Sequence, residues 1–194
     1  MARMIATGTV SVESGESTVV ARAQQGDAGA FEELVVPRLG RLLRLTGSIL
    51  SNDADASDAV QETCIRAWRE LPRLREPAKF EAWLWQIAIN TCRTALRTRR
   101  RTAVREIAVE TMGEAVDIPD PGRLLGDVQS DGDVVRRAFR RLDPDERAIL
   151  VLHHIEDRSI AEIAVLLRIP EGTAKWRLYA ARQGLQAALE AERR

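Results

Sequence analysis

The chain of 194 residues carries 29 Lys and Arg against 29 Asp and Glu, so its formal net charge is zero, and 45% of its residues are hydrophobic. That length allows one large domain or two small ones, and that composition excludes wholesale disorder. No apolar run approaches the roughly 20 residues that cross a bilayer, and the opening stretch MARMIATGTVSVESGES lacks the apolar core of a secretory signal. No membrane insertion is expected. The two cysteines, Cys64 and Cys92, form no CxxC pair, which excludes a disulfide scaffold or zinc ribbon and suits a reducing cytoplasm. The two histidines, His153 and His154, are adjacent and would lie about 100° apart on a helix, unable to chelate one ion together. No catalytic residue, metal site or cofactor is expected: the chain reads as a cytoplasmic protein that is not an enzyme.

Charge is strongly patterned beneath the zero total. Residues 1–65 sum to −4, 66–106 to +7, 107–135 to −6 and 136–194 to +3. Two positive blocks separated by an acidic one suggest two surfaces facing a polyanion, joined by a segment that avoids it.

In chain order, residues 1–16 are polar and non-periodic and read as a disordered tail. Ser17 can cap a short helix to Gln25, ended by Gly26, and Asp27 caps a longer run with Phe31, Leu34, Leu39, Leu42, Leu43, Ile49 and Leu50 on its apolar face. Pro37 and Gly40 should kink that run rather than end it. From Asp55 a helix places Ala56, Ala59, Val60, Thr63 and Ala67 on one side and Asp58, Glu62 and Arg66 on the other. Pro72 and Pro77 bracket a basic loop. A further helix starts near Phe80 and runs into the cluster Arg97, Arg99, Arg100, Arg101. Periodicity then fades over the acidic stretch 102–133, which reads as a flexible linker. A second helical unit begins near Val134. The expected fold is all-α: a domain over 17–101 and another over 134–194.

The stretch SIAEIAVLLRIPEGTAKWRLYAARQGL, residues 159–185, is the most specific. Ser159 and Glu162 have the spacing of a capping box. Ile160, Ile163, Ala164 and Leu167 give the short helix one apolar face, and Pro170 suits the first position of the next. That second helix turns Ala174, Leu178, Ala181 and Leu185 inward. Outward it shows Thr173, Lys175, Trp176, Arg177, Tyr179 and Arg182, donors and aromatics that can reach phosphates and base edges. Two short helices with this turn make a helix-turn-helix, whose second helix enters the major groove.

Residues 142–182 resemble region 4 of the extracytoplasmic-function (ECF) sigma factors of the sigma-70 family. DADASDAVQETCIRAWREL (53–71) followed by FEAWLWQIAINTCRTALR (80–97) resembles their region 2. The order matches, and the resemblance covers about residues 18–188. It departs from the family at Arg168, often Gly there, at Trp176, usually small and polar, and at Tyr179, often His.

The resemblance implies a promoter-specific initiation factor that binds core RNA polymerase through its β′ clamp and β subunits, and promoter DNA. Asp58, Gln61, Glu62 and Arg66 would dock on the β′ clamp. The loop at 72–80 and the helix after it would bind the single-stranded −10 element and assist melting, with Arg73, Arg75, Lys79, Arg93 and Arg97 lining a basic groove. Trp85, with Gln86 and Asn90, is expected on the exposed face of that helix, while Trp68 and Trp83 belong to the core. Thr173, Lys175, Trp176, Arg177, Tyr179 and Arg182 would meet the −35 element. An anti-sigma factor is implied as a further partner. Free in solution, the acidic linker is expected to lie near either basic face and weaken promoter binding. Cys64 and Cys92 read as small buried apolar residues. Two other readings stay open at this point: a stand-alone helix-turn-helix regulator, and a sigma mimic that only sequesters a partner.

Overall fold

The structure is a computed structural model that describes residues 7–109 and 131–192, with side chains over 15–102 and 134–192. Every regular element among the described residues is helical. The first domain contains α1 (Thr7–Gln24), α2 (Ala28–Val35), α3 (Leu39–Leu50), α4 (Asp53–Glu70) and α5 (Phe80–Val109). The second contains α6 (Asp131–Arg140), α7 (Pro144–His154), α8 (Ile160–Leu167) and α9 (Glu171–Glu192).

Local chemistry sets most boundaries. The first helix ends before Gly26, whose φ of 93° suits a residue without Cβ. Asp27 then accepts a hydrogen bond from the Ala30 backbone N–H at 3.0 Å, capping α2. Between α2 and α3 the Val36–Arg38 segment tightens into a 3-10 turn around Pro37, and the flanking dihedrals stay right-handed. The chain is thus kinked there, not reversed. Asn52 caps α4 through the Asp55 N–H at 2.9 Å, two residues earlier than the pattern indicates.

Two expectations are corrected. Residues 7–16 are not a tail but part of α1, and Ser17 lies inside that helix instead of capping it. Glu16 is held by Arg38 at 2.8 Å, and the Gln24 amide donates to the carbonyls of Leu71 and Leu74 at 3.1 and 2.8 Å. These contacts anchor the helix at a distance in sequence that local composition does not register. Residues 1–6 lie outside the described residues. The linker is also shorter than 102–133: α5 continues to Val109 and α6 begins at Asp131. No Gly or Pro interrupts the chain from 97 to 109, and arginine is a good helix former. The remainder, 110–130, lies outside the described residues.

The buried apolar residues of both domains form one cluster. It runs from Leu42, Leu45 and Ile49 of α3 and Leu84 and Ile89 of α5 to Ile149 and Leu152 of α7 and Ile163 of α8. The two domains therefore pack together, with α3 against α7 and α5 against α8.

Candidate nucleic-acid and polymerase interface

The helix-turn-helix forms as its spacing indicates. The Ser159 hydroxyl accepts from the Glu162 N–H at 3.3 Å, and the Glu162 carboxylate accepts from the Ser159 N–H at 2.8 Å. These hydrogen bonds, with the nearby Arg158 charge, hold the Glu162 carboxyl below its ordinary value although burial opposes them. The turn passes through Arg168 in the left-handed conformation, φ 56° and ψ 49°, and its N–H closes back on Ala164 and Val165. A glycine would adopt this geometry without steric cost. Pro170 sits just outside α9, one position before the expected one.

Helix α9 buries Ala174, Leu178 and Ala181, with Leu185 half-buried, as the period requires. Its outward face carries Lys175, Trp176, Tyr179 and Arg182 in solvent and Thr173 and Arg177 half-buried. Lys175 pairs with Glu171 at 3.0 Å, a surface contact that DNA phosphate can replace. Arg182 donates to His154 Nε2 at 3.2 Å. Burial and the charges of Arg182 and His153 hold His154 below the ordinary histidine range, so its free ring nitrogen can accept. Arg177 reaches Asp145 at 3.5 Å.

On the first domain, α4 turns Ala56, Ala59, Thr63 and Ala67 into the core. The opposite stripe faces outward, with Asp58 and Gln61 exposed and Glu62 and Arg66 half-exposed, the last two paired at 2.6 Å. The basic loop forms two 3-10 turns, Leu71–Arg73 and Pro77–Lys79, that present Arg73, Arg75 and Lys79 to solvent. Behind it, α5 carries Gln86, Asn90, Arg93 and Arg97 along one side. Arg97 is exposed and Asn90 half-buried. Gln86 and Arg93 are engaged by the second domain. The Gln86 amide donates to the Val165 carbonyl at 3.0 Å and accepts from Arg168 at 3.3 Å, and Arg93 reaches Asp145 at 3.3 Å.

Two family models match in this order: Sigma-70 region 2 over residues 20–102, and Sigma-70 region 4 over residues 133–185. The chain belongs to the sigma-70 family, as an ECF sigma factor. It is 29% identical to the RNA polymerase sigma-H factor of Pseudomonas aeruginosa, over 90% of this chain and 94% of that one. It is also 29% identical to the ECF RNA polymerase sigma-E factor of Escherichia coli K12, over 91% and 95%. Among solved structures it resembles the sigma factor RpoE of Bartonella quintana in complex with the anti-sigma factor NepR (TM-score 0.65, 26% identity, 82% of this chain and 96% of that one). It also resembles CnrH in complex with the cytosolic domain of CnrY (TM-score 0.64, 26% identity, 91% and 97%). The sigma factor is a promoter-specific transcription initiation factor and not an enzyme.

The sigma factor's tryptophans depart from the expected arrangement. Trp85 is fully buried, not exposed: its ring lies between the guanidinium groups of Arg41 and Arg158, 5.3 and 5.8 Å from the centroid. Region 4 closes over it, which no periodicity within α5 reveals. Trp68 is 37% exposed and packs edge-on against Phe31 at 5.1 Å, a rim residue rather than a core one. Trp83 is half-buried against the core. Cys92 is buried, its thiol pushed up to about 12 by desolvation, and half-buried Cys64 is raised for the same reason. Both are poor nucleophiles at neutral pH.

Sequence reasoning missed the charged groups that join the regions. Glu156 is 7% exposed and binds Arg41 at 2.5 Å and Arg44 at 3.2 Å. Arg147, 6% exposed, donates to the Ile49 carbonyl at 2.8 Å and to the Ser51 hydroxyl. Arg158 pairs with Glu81. Burial would raise the Glu81 carboxyl, but the charges of Arg158, Arg41 and Arg38 outweigh it and hold it below the ordinary range. A signal existed. Ile149, Leu152 and Glu156 fall on one helical face, and Arg147 lies one turn from buried Val151, so both charges sit where apolar residues belong.

Proposed function

We propose that this ECF sigma factor divides its contacts among three faces. The α4 stripe of Asp58, Gln61, Glu62 and Arg66 docks on the β′ clamp of core polymerase. Arg73, Arg75 and Lys79 of the basic loop, with Gln86, Asn90, Arg93 and Arg97 of α5, take the −10 element. Thr173, Lys175, Trp176, Arg177, Tyr179 and Arg182 on α9 take the −35 element. Trp85 has no part in this assignment. The observation that carries the reading is the pairing of two matched sigma regions with an outward, donor-rich α9 on a well-capped helix-turn-helix.

The mechanism is binding without covalent chemistry. Major-groove recognition by α9 supplies direct base readout. The basic loop attracts the DNA backbone, and the polar side of α5 offers donors to bases released from the duplex, which lowers the cost of opening it. The charged stripe on α4 sets register and association rate with polymerase. An anti-sigma factor fits the same assignment, since RpoE and CnrH were both solved with such partners or their like, NepR and the cytosolic domain of CnrY. The cytoplasm, where core polymerase acts, is the matching location.

Run-off transcription on genomic fragments, with core polymerase and this protein, tests the reading. Start sites that require the protein are expected, and they should weaken when Asp58 and Glu62 are both replaced by Lys while helicity by circular dichroism is unchanged. No protein-dependent start site on any fragment would overturn it.

A further inference from the structure

The faces assigned to the −10 and −35 elements are turned toward each other. Arg93 of α5 and Arg177 of α9 are bound to the two oxygens of one carboxylate, Asp145. Gln86 is held by the backbone of α8 and by Arg168. A cleft of about 550 Å³ lies between the regions, walled by Arg97 and Arg100 on one side and Trp176 on the other. The −10 and −35 elements are separated by roughly 25 base pairs, about 85 Å of duplex at 3.4 Å per base pair. A protein whose two reading faces share one carboxylate cannot lie on both. The arrangement seen here is therefore not the promoter-bound one. The backbone from 110 to 130 can span up to about 75 Å, so region 4 can move away without breaking the chain's covalent reach.

Resting on the functional reading above, we propose that this closed arrangement is a self-masked state of the free sigma factor, latched by Arg147 and Glu156. Each latch residue is on region 4 and buried, and each finds its recorded hydrogen-bond partners on region 2. Arg147 caps the C-terminal end of α3, where unpaired carbonyls and the helix dipole favour a cation. Glu156 is clasped by Arg41 and Arg44 of the same helix. An interface made of charge pairs and one helix cap exchanges protein contacts for water contacts on opening, so it is reversible in a way a purely apolar one is not. Closure also strands polar atoms: the Trp85 indole N–H and the Nε atoms of Arg147 and Arg158 are buried without a hydrogen-bond partner. That cost favours opening. The α4 stripe lies outside the closure and stays exposed. Core polymerase can therefore capture the closed form, whereas DNA cannot, and opening follows polymerase binding.

The test uses the full 194-residue chain. Small-angle scattering of the free protein should show a compact particle, and R147Q, E156Q and R44E should each raise its radius of gyration by a fifth or more. Arg44 is half-exposed on region 2, so R44E sets a like charge against Glu156 without entering either core. Affinity for a labelled 40-base-pair duplex of arbitrary sequence should rise at least fivefold in the same variants. R147Q and R44E remove positive charge, so simple electrostatics requires weaker DNA binding from both. R137Q, which removes a contact to Glu192 inside region 4, should leave the particle size unchanged. An expanded wild-type particle, unchanged scattering in the variants, or weaker duplex binding by R147Q and R44E would overturn the latch. If no form initiates transcription with core polymerase, the functional reading fails instead, and scattering still decides the latch.

Discussion

Helices α9 and α5 both carry rows of donors and aromatics, yet they meet solvent differently. The first turns Lys175, Trp176, Tyr179 and Arg182 outward, whereas the second buries Trp85 and presents Gln86 and Arg93 to region 4. The orientation of α9 is fixed by its neighbours in sequence: the cap at Ser159, the left-handed turn at Arg168 and the packing of Ala174 and Leu178 beneath it. The environment of α5 is fixed by residues on α3, α7 and α8, far away in the chain. A reading helix can thus be written locally, while its availability is decided by the other domain.

If α9 depends on its local core, Ile163→Ala should disturb it most. Ile163 is fully buried, and truncating such a side chain costs about 2–5 kcal/mol through lost transfer energy and the cavity left behind. Thermal unfolding followed by circular dichroism should show that loss. A change well below 1 kcal/mol would place the support of α9 elsewhere.

The next effect separates the two faces in function. With core polymerase present, Arg177→Ala should weaken binding to promoter duplexes by about 1–3 kcal/mol if the guanidinium reads a base edge, and selectively for certain −35 sequences. Anisotropy on a set of −35 variants checks this. Equal weakening on every sequence would make Arg177 a phosphate contact, and unchanged affinity would remove it from the interface.

This contrast also explains what was legible. The helix-turn-helix, its capping box, its inward residues and the outward stripe of α4 follow from spacing of three and four residues, which sequence displays directly. The kink at Pro37 and the cap at Asp27 are equally local. Trp85 was not legible, because two arginines from other elements cover it. Nor was the helical character of residues 7–16, which rests partly on the Glu16–Arg38 pair. Masking between the two reading faces was expected from the acidic linker, most of which falls outside the described residues. The direct contacts instead run through Asp145, Arg147 and Glu156. The last two looked like ordinary helix charges until their shared face with Val151, Ile149 and Leu152 was counted.

A smaller effect probes the turn that aims α9. Arg168 occupies left-handed backbone space, where a residue with a Cβ is disfavoured by about 1–2 kcal/mol. Arg168→Gly should therefore raise stability by about 1 kcal/mol, offset in part by the lost contact to Gln86. A lower melting temperature would mean that the Arg168 side chain contributes more than the strain removes. The smallest effect is on pH. The Glu81 carboxyl is held below its ordinary value of 4.5, so its contribution to stability is present above that pH and is lost as pH falls through the depressed value. Melting temperature should decline below about pH 4.5, and less steeply in Glu81→Gln. Equal slopes would remove Glu81 from the acid response.

The central claim is that the two reading faces are together in the free protein and apart on the promoter. A distance measured by energy transfer between one dye on region 2 and one on region 4 tests it most directly, in the free protein and in the complex with core polymerase and promoter. A short distance in the free protein that lengthens by several tens of ångströms in the complex is predicted. An unchanged distance, long in both or short in both, would contradict it.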